Sequence, residues 1–305
     1  MIYGLADEQL VSPFLIEREV HMDTSDLAKR MKEYEKAGQR YLTRRMPVLL
    51  RLDGSHFHTF TRNFKRPFDD VLIKTMQETA KYLCENIMGA TIAYTESDEI
   101  TILLVDYKKL TSQAWFDNRQ NKIESIAASM CTMAFNKFFA KNVNEFIYNN
   151  GENYETNSEE YKLCQVYKKA VEKGAYFDCR AFNIPKEEVT NNFYWRQLDA
   201  SRNSIQMVGR ANFSHKELQN KSCNQIQDML MEQKGINWND LPIYQKRGSC
   251  CVRNKIIIST DGVKETVQLR DISKSENEWI VDTEIPIFKN EGREYINKLI
   301  YIGED

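Results

Sequence analysis

The sequence predicts an α+β fold built around one antiparallel sheet, and two observations carry this prediction. Short apolar runs with strand character alternate with longer stretches in which apolar residues recur at helical spacing. From Val48 onward the order of these patterns is strand, helix, strand, strand, helix, strand. This is the βαββαβ order of ferredoxin-like folds, in which both helices lie on one face of the sheet.

The individual elements follow from spacing and from residues that begin or end helices. Asp69 and Asp70 precede a stretch whose apolar residues share one helical face, and Gly89 ends it. Pro185 stops the last strand of the βαββαβ unit. The predicted strands are residues 48–52, 91–94, 100–105 and 175–184, and the predicted helices are residues 25–45, 69–89, 115–141, 186–209 and 218–233.

Composition places the chain among ordinary globular proteins of the cytoplasm. Its 305 residues carry a net charge of −2, so composition alone does not indicate a nucleic-acid binder. The seven cysteines form no Cys-x-x-Cys pair, which argues against a zinc site and against a disulfide framework. A reducing compartment fits this cysteine pattern best, and no apolar run is long enough to span a membrane.

Two acidic segments lie where predicted strands meet turns. Asp53-Gly54 follows the apolar run 48–52, and Asp98-Glu99 precedes the apolar run 100–105. If these strands are neighbours, Asp53 and Asp98 converge and repel each other unless a cation lies between them. Mg²⁺ prefers oxygen ligands and usually binds one or two protein carboxylates together with substrate phosphates. The pattern suggests two-metal phosphoryl or nucleotidyl transfer with Asp53 and Asp98 as catalytic residues. Each segment taken alone is also typical of an ordinary turn.

Carboxylates on the first strand and on the following hairpin are also the plan of polymerase palm domains, although this fold-level analogy proves no function. We therefore predict a ferredoxin-like polymerase palm as the catalytic domain over residues 22–210, after an N-terminal extension over residues 1–21. The Asn-rich and Tyr-rich stretch 142–173 has weak periodicity and is interpreted as a partly mobile insertion. Residues 211–305 are predicted to form a C-terminal helical and β-rich extension, with strand-like runs at 255–259, 266–269 and 279–283.

Seven segments between about residues 24 and 253 occur together in a characteristic order. They are Asp53-Gly54-x-x-Phe57-His58-x-Phe60, Phe64-Lys65-Arg66-Pro67-Phe68-Asp69, Ser97-Asp98-Glu99, Trp115-Phe116 with Arg119 and Lys122, Phe177-Asp178-Cys179-Arg180, Trp195-Arg196-Gln197-x-Asp199 and Lys246-Arg247-Gly248-Ser249. In these segments the chain resembles the tRNA-His guanylyltransferase family of reverse, 3′-to-5′ nucleotide-adding enzymes. Within that family it is similar to the guanylyltransferase-like branch found mainly outside eukaryotes.

The resemblance implies a three-step reaction on tRNA. ATP activates the tRNA 5′-phosphate, the 3′-hydroxyl of an incoming nucleoside triphosphate attacks it, and pyrophosphate is later removed where needed. The implied cofactors are two Mg²⁺ ions held by Asp53, the Gly54 carbonyl group and Asp98, with ATP and GTP or other nucleoside triphosphates as substrates. The implied assembly is a homotetramer, a dimer of dimers.

The resemblance also assigns residues to the two substrates. Backbone N–H groups of Ser55 to His58 would bind the triphosphate, and basic side chains would neutralise it. The nucleotide-binding residues are Asp53, Gly54, Ser55, His56, Phe57, His58, Arg66, Ser97, Asp98, Arg119 and Lys122. The tRNA-binding residues are Arg180, Arg196, Arg202, Asn203, Lys216, Lys246 and Arg247.

One segment departs from the family pattern. Eukaryotic members carry His-Ile-Asn-Asn just after the Trp-Arg-Gln-x-Asp motif, where this chain has Ser201-Arg202-Asn203-Ser204. In the family that segment is tied to obligate addition of G at position −1 of tRNA-His. As the resemblance to the guanylyltransferase-like branch implies, its replacement favours template-dependent addition to 5′-truncated tRNA, and addition of G at position −1 of tRNA-His is the alternative.

Two other functions remain open on the residues alone. A nucleotide cyclase shares the palm plan and the paired carboxylates, but it has no need of the Trp-Arg-Gln and Lys-Arg-Gly-Ser segments. A non-catalytic RNA-binding module of ferredoxin-like fold needs exposed aromatic residues on its central strands. Those strands carry Leu49, Leu50, Ile102 and Leu103 instead.

Overall fold

The computed structural model describes residues 25–150, 158–253 and 278–302. The chain divides into two compact units, Met1–Gln39 and Arg40–Asp305. In the first unit the described residues form helix α1, Asp26–Ala37, whose first turn is capped by Ser25 accepting a hydrogen bond from the Ala28 N–H group. The helix predicted over 25–45 is therefore too long at its C-terminal end.

The second unit is organised around a sheet whose described part has six strands. Their order is β4-β1-β3-β2-β5-β6, and every neighbouring pair is antiparallel. The first four strands and the helices Asp70–Asn86 and Gln120–Asn150 confirm the predicted βαββαβ order. The strands are β1 Val48–Ser55, β2 Ala90–Glu96, β3 Glu99–Leu104, β4 Tyr176–Asn183, β5 Ser249–Arg253 and β6 Trp279–Asp282.

Helices of very different length connect and cover these strands. None of the described helices combines the length and the apolarity that crossing a membrane requires. The helices of the second unit are α2 Phe57–Phe60, α3 Asp70–Asn86, α4 Gln120–Asn150, α5 Glu159–Lys173, α6 Lys186–Asn212, α7 His215–Leu218, α8 Cys223–Lys234, α9 Ile243–Arg247 and α10 Glu294–Ile300.

Alternate side chains of the sheet enter two separate cores. Leu50 and Leu52 of β1 pack with residues of α3 and α4, as expected for the two helices of the βαββαβ unit. Leu49, one position away, packs on the opposite face with Phe193 of α6 and Ile296 of α10. The prediction of helices on one face therefore holds for α3 and α4, and residues beyond β4 cover the other face.

The stretch 142–173 is more regular than its composition suggests. Helix α4 continues through Asn150, and α5 begins at Glu159. Tyr167 of α5 is buried and donates a hydrogen bond of 2.7 Å to Oδ2 of Asp69. The described residues of this stretch are therefore helical, and α5 contributes buried side chains to the core, which the weak periodicity did not indicate.

The C-terminal part also differs in detail from its prediction. Strand β5 and helix α10 were not predicted, whereas the strand expected at 279–283 is present as β6. The predicted boundary between residues 210 and 211 lies inside α6 and inside the second unit. The extension over 1–21 and the strands expected at 255–259 and 266–269 lie outside the described residues.

Candidate functional site

The structure brings the two predicted catalytic carboxylates together at one end of the sheet. Asp53 on β1 is directly opposite Glu99, the first residue of β3. The N–H group of Gly54 donates a hydrogen bond of 3.1 Å to the backbone oxygen of Asp98. The antiparallel pairing of β1 with β3 therefore places residues that are far apart in sequence at one site.

The two carboxylates influence each other electrostatically. Burial raises the pKa of the Asp98 carboxyl group, and the nearby charge of Asp53 raises it further. The Ser97 hydroxyl group donates a hydrogen bond of 3.0 Å to Asp98 Oδ1, which opposes this rise. Within the described part of the chain, the Asp53 carboxylate has neither a hydrogen-bond partner nor a salt-bridge partner. A cation between Asp53 and Asp98 would relieve their repulsion.

The donor chemistry at this end of the sheet fits Mg²⁺. The available ligands are two carboxylates and the Gly54 carbonyl oxygen, all of them hard oxygen donors. No group of three or more His, Cys, Asp or Glu residues within the described ranges could hold a metal ion. Two carboxylates would thus bind an ion only with oxygens from elsewhere, such as substrate phosphates and water, which is the usual coordination of Mg²⁺.

The turn after Asp53 requires glycine for a steric reason. A Cβ atom on Gly54 would lie 2.2 Å from Cδ2 of the Phe57 ring. That ring is buried in an aromatic cluster, with its centroid 5.1 Å from Phe60, 5.4 Å from Phe135 and 5.3 Å from Phe177. The Phe57 side chain is therefore a core residue that positions the turn, and its ring is not available to stack on a nucleotide.

The other residues of this segment face outward. Ser55 is half-buried, whereas His56 and His58 are exposed. His56 has a left-handed backbone conformation, with φ 55° and ψ 31°, and it lies directly before the short helix α2. Ser55 Oγ lies 3.0 Å from His56 Nδ1. The chain thus turns sharply immediately after Gly54, beside the carboxylates.

A buried ion network lies next to the carboxylates, and its centre, Glu99 with two arginines, was not predicted. Arg196 of α6 donates from Nε to Glu99 Oε1 at 2.6 Å and from Nη2 to Glu99 Oε2 at 2.8 Å. Arg51 donates from Nε to Glu99 Oε2 at 2.8 Å. Arg196 is 5% exposed and also pairs with Asp199 at 3.1 Å. The prediction that Arg196 contacts tRNA phosphates is therefore wrong, because its guanidinium group is buried and already paired.

Glu96 has an unusual environment at the edge of this network. Burial raises the pKa of its carboxyl group to about 8, and the charge of Glu99 adds to this effect. Arg196 Nη2 lies 3.5 Å from Glu96 Oε1 and opposes the rise only in part. The sequence has no signal for this state, since it depends on burial between β2 and α6.

A cleft of about 100 Å³ adjoins the Asp98 turn. It brings three of the predicted substrate-binding residues together, Ser97, Asn203 and Arg247, with Glu96 beside them. Burial lowers the pKa of the Arg247 guanidinium group, whose Nε donates to the Ile285 backbone oxygen at 3.3 Å. The replaced family segment, of which Asn203 is a part, therefore lines a cleft next to a predicted metal ligand.

The predicted basic start of α4 follows a strained turn. Phe116, Asp117 and Asn118 have consecutive positive φ angles of 49°, 58° and 57°. Left-handed residues of this kind cost about 1–2 kcal/mol each. Arg119 follows them and is half-buried, whereas Lys122 is exposed and its Nζ lies 4.7 Å from the centroid of the Phe116 ring. Such strain is more common at functional sites than elsewhere.

The remaining predicted residues are dispersed over the second unit. Arg180 is exposed on β4, Lys216 is exposed on α7, and Arg202 is exposed on α6 with an ion pair to Asp199. Lys246 donates to the backbone oxygen of Asn239. Arg66 lines a second cleft between α6 and α8 and does not line the cleft beside Ser97.

Comparison with known proteins agrees with this fold. A family model described as tRNAHis guanylyltransferase matches residues 28–185. A bacterial tRNA(His) guanylyltransferase-like protein solved with ATP is 41% identical, with a TM-score of 0.71, over 90% of this chain and 100% of that one. A structure of such a bacterial protein with GTP is 39% identical, with a TM-score of 0.67, over 91% of this chain and 100% of that one. The tRNA(His) guanylyltransferase of Saccharomyces cerevisiae is 25% identical over 236 residues, 73% of this chain and 89% of that protein. The chain therefore belongs to the tRNAHis guanylyltransferase family and is a nucleotidyltransferase.

Proposed function

We propose that this protein adds nucleotides to the 5′ end of tRNA in the 3′-to-5′ direction, with the opposite strand of the acceptor stem as template. ATP or GTP would activate the 5′-phosphate, and nucleoside triphosphates would supply the added nucleotides. The observation that supports this most is the convergence of Asp53 and Asp98, joined through the Gly54 N–H group, at one end of the sheet. The ATP-bound and GTP-bound structures of the bacterial relative support the nucleotide substrates.

The residues of this chain would mainly position and neutralise the substrates. Asp53, the Gly54 carbonyl oxygen and Asp98 would hold two Mg²⁺ ions. When bound, these ions would lower the pKa of a hydroxyl group at the site and offset phosphate charge. Backbone N–H groups from Ser55 to His58 would donate to the triphosphate, next to the sharp turn at His56. The side chains of Arg119 and Lys122 would add positive charge, whereas Arg66 lines a separate cleft.

The tRNA would lie across basic and polar residues of several elements, of which Lys246 and Arg247 are half-buried and the others exposed. Arg180, Arg202, Asn203, Lys216, Lys246 and Arg247 are the candidates that remain after Arg196 is excluded. Salt-dependent phosphate contacts of this type position a nucleic acid without reading its sequence. The choice of nucleotide would then come from base pairing with the 3′ strand of the acceptor stem. A homotetrameric assembly, a cytoplasmic location and a role in tRNA repair remain predictions.

Substrate choice tests the proposal directly. A tRNA that lacks its first nucleotide should be extended by one nucleotide complementary to the base facing the gap, and changing that base should change the product. Non-templated addition of G to full-length tRNA-His should be slower by roughly 10²-fold, because it lacks the pairing energy of a few kcal/mol. Product length and composition, with both tRNAs in one reaction, measure this. Equal or faster non-templated addition would contradict templated repair.

The carboxylates provide a second test. Asp53→Asn and Asp98→Asn should each lower nucleotide addition by on the order of 10²-fold or more, since each removes a charged oxygen ligand. Their melting temperatures should equal or exceed that of the unmodified protein, because the repulsion between the two groups is relieved. Asp228→Asn, an exposed change in α8, is the matched control. Full activity in either site variant would contradict the assignment.

A further inference from the structure

The second cleft, a basic cleft that Arg66 lines, has no role in the reaction proposed above. It has a volume of about 530 Å³ and lies between the C-terminal part of α6, the short helix α7 and the start of α8. Arg66, Arg210, His215 and Lys221 line it. Of the described residues that line this cleft, none is acidic. Its chemistry therefore selects for anions.

The cations of the cleft are not used by the fold. Arg210 Nη2 lies 3.4 Å from Gln206 Oε1, a neutral partner one helical turn away. Within the described ranges, Arg66, Arg210 and Lys221 form no salt bridge. Elsewhere on the surface, lysines pair with acids, as Lys74 does with Glu145 at 2.7 Å. The positive charge in the cleft is therefore available to a ligand.

The cleft is also held in shape by packed elements. Its floor includes Phe213 and Ile226, which are 8% and 4% exposed and belong to one apolar cluster. The Lys221 N–H group donates to the Leu218 backbone oxygen at 3.1 Å. Ser222 follows and forms a reciprocal capping box with Gln225 at the start of α8. The backbone that carries Lys221 is thus fixed before any ligand binds.

Helix α6 connects this cleft to the one beside Asp98. Asn203 and Met207 line the cleft that contains Ser97, and Gln206 and Arg210 line the basic cleft. The seven steps from Asn203 to Arg210 span roughly 10 Å of helix at about 1.5 Å per residue. A stacked nucleic-acid strand rises about 3.4 Å per nucleotide, so roughly three nucleotides cover this span. The spacing suits a strand that lies along α6.

We propose that the basic cleft binds backbone phosphates of the RNA substrate, roughly three nucleotides from the end held at Asp98. This inference rests on the proposed function. Arg210 and Lys221 would bind the phosphates, with His215 beside them. Because these contacts go to the backbone, they would hold tRNAs of any sequence and leave base choice to pairing. A free nucleoside triphosphate offers the same phosphate chemistry, so the experiment must separate the two ligands.

The test compares two double variants with equal loss of charge. Arg210→Ala/Lys221→Ala removes two cations from the cleft, and Lys137→Ala/Lys173→Ala removes two exposed cations from α4 and α5. Each protein is titrated with a 5′-truncated tRNA at several salt concentrations, and the KM for the nucleoside triphosphate is measured separately. The cleft variant should bind tRNA at least about 10-fold more weakly, and its salt slope should fall by roughly 1.4–1.8. The control variant should match the unmodified protein in tRNA affinity and in salt slope. The KM for the nucleoside triphosphate should be the same in all three proteins.

The outcomes separate the cleft from the proposed function. tRNA affinity equal to that of the control would overturn the cleft assignment, as would unchanged tRNA affinity with a raised KM for the triphosphate. Arg210→Lys/Lys221→Arg should restore binding, and its failure to do so in a protein with an unchanged melting temperature would also overturn it. If the cleft variant loses tRNA binding while the unmodified protein adds no nucleotide, the cleft stands and the catalytic proposal fails.

Discussion

At the scale of single residues, the site contains carboxyl groups whose surroundings disfavour the ionised form. Burial raises the pKa of both Asp98 and Glu96, and in each case a neighbouring carboxylate adds to the effect. Arg196 and Arg51 compensate Glu99 and leave Glu96 only partly compensated. The negative charge of the site is therefore only partly compensated by the protein. Mg²⁺ and basic residues would compensate the rest in the proposed reaction.

The raised carboxyl pKa of Glu96 makes the stability of the protein depend on pH. Its carboxyl pKa is about 8 in the folded protein and 4.5 as an ordinary value, so the folded state keeps a proton that the unfolded state has released. Stability should fall as pH rises from 4.5 to about 8, and a pKa difference corresponds to about 1.4 kcal/mol per unit. Glu96→Gln should therefore gain stability relative to the unmodified protein across this window.

Urea unfolding at pH 5 and pH 8 measures the effect. The increase in unfolding free energy of Glu96→Gln over the unmodified protein should be larger at pH 8 than at pH 5 by about 1 kcal/mol or more. Glu172→Gln, an exposed change on α5, should show a difference that does not vary with pH. A difference for Glu96→Gln that is equally independent of pH would show that Glu96 does not carry the raised pKa.

At the scale of elements, the junction between β1 and α2 connects the site to the core. Gly54 lies under the Phe57 ring, which is anchored by Phe60, Phe135 and Phe177. The N–H group of the same glycine donates a hydrogen bond to the backbone oxygen of Asp98 across the sheet. Packing of the aromatic cluster therefore determines where Asp53 and Asp98 lie relative to each other.

Gly54→Ala should disturb this junction. The added Cβ atom would lie 2.2 Å from Phe57 Cδ2, so the ring or the turn must move. Overpacking of this kind costs typically 1–3 kcal/mol, and we expect nucleotide addition to fall more than stability does. Gly38→Ala is the control, since nothing lies within 4 Å of its new Cβ atom. Thermal melting and activity together test the effect, and a fully active Gly54→Ala variant would contradict it.

Helix α5 is a second element whose role can be measured. Its Tyr167 is 1% exposed and donates to Asp69, the residue that caps α3 by accepting from the Leu72 N–H group at 2.9 Å. Tyr167→Phe should destabilise the protein by about 1–3 kcal/mol, because it leaves a buried acceptor with fewer donors. Tyr148→Phe, at a position 82% exposed, should change stability by less than about 0.5 kcal/mol. Equal values for the two variants would show that α5 is peripheral.

At the scale of the whole second unit, helices on both faces of the sheet meet at the site. α3 and α4 cover one face, α6 and α10 cover the other, and Arg196 ties α6 to the first residue of β3. The buried network thus fixes the cleft-lining helix relative to the hairpin that carries Asp98. Because the basic cleft lies at the C-terminal end of α6, the contacts of Arg196 with Glu99 also help to position this cleft.

Loss of Arg196 should therefore affect the second unit as a whole. Arg196→Met leaves Glu99 with Arg51 as its remaining charged partner, and breaking one side of a buried ion network costs about 3–5 kcal/mol. Arg62→Met, an exposed change, is the control. Urea unfolding measures both variants. A loss below about 1 kcal/mol for Arg196→Met would show that the network contributes little to this packing.

Periodicity and turn residues were sufficient to predict the βαββαβ unit and the two carboxylates. The helices α3, α4 and α6 carry apolar faces at helical spacing, and the strands β1 to β4 are bounded by recognisable turns. Helix α10 was missed because Glu294–Ile300 is only seven residues long, and strand β5, Ser249–Arg253, was missed although the shorter strand β6 was predicted. Such short elements form through tertiary contacts more than through local pattern.

The sequence by itself thus determined the fold class, the family resemblance and the choice of Asp53 and Asp98 as candidate ligands, whereas the pairing of β1 with β3 that brings them together is seen only in the tertiary structure. Only the tertiary structure decided which charged side chains are free and which are buried. Arg196 and Arg210 lie on the same helix, yet the first is paired in the core and the second lines an open cleft. The reason is physical, since the cost of burying a charge depends on partners that a linear pattern does not reveal.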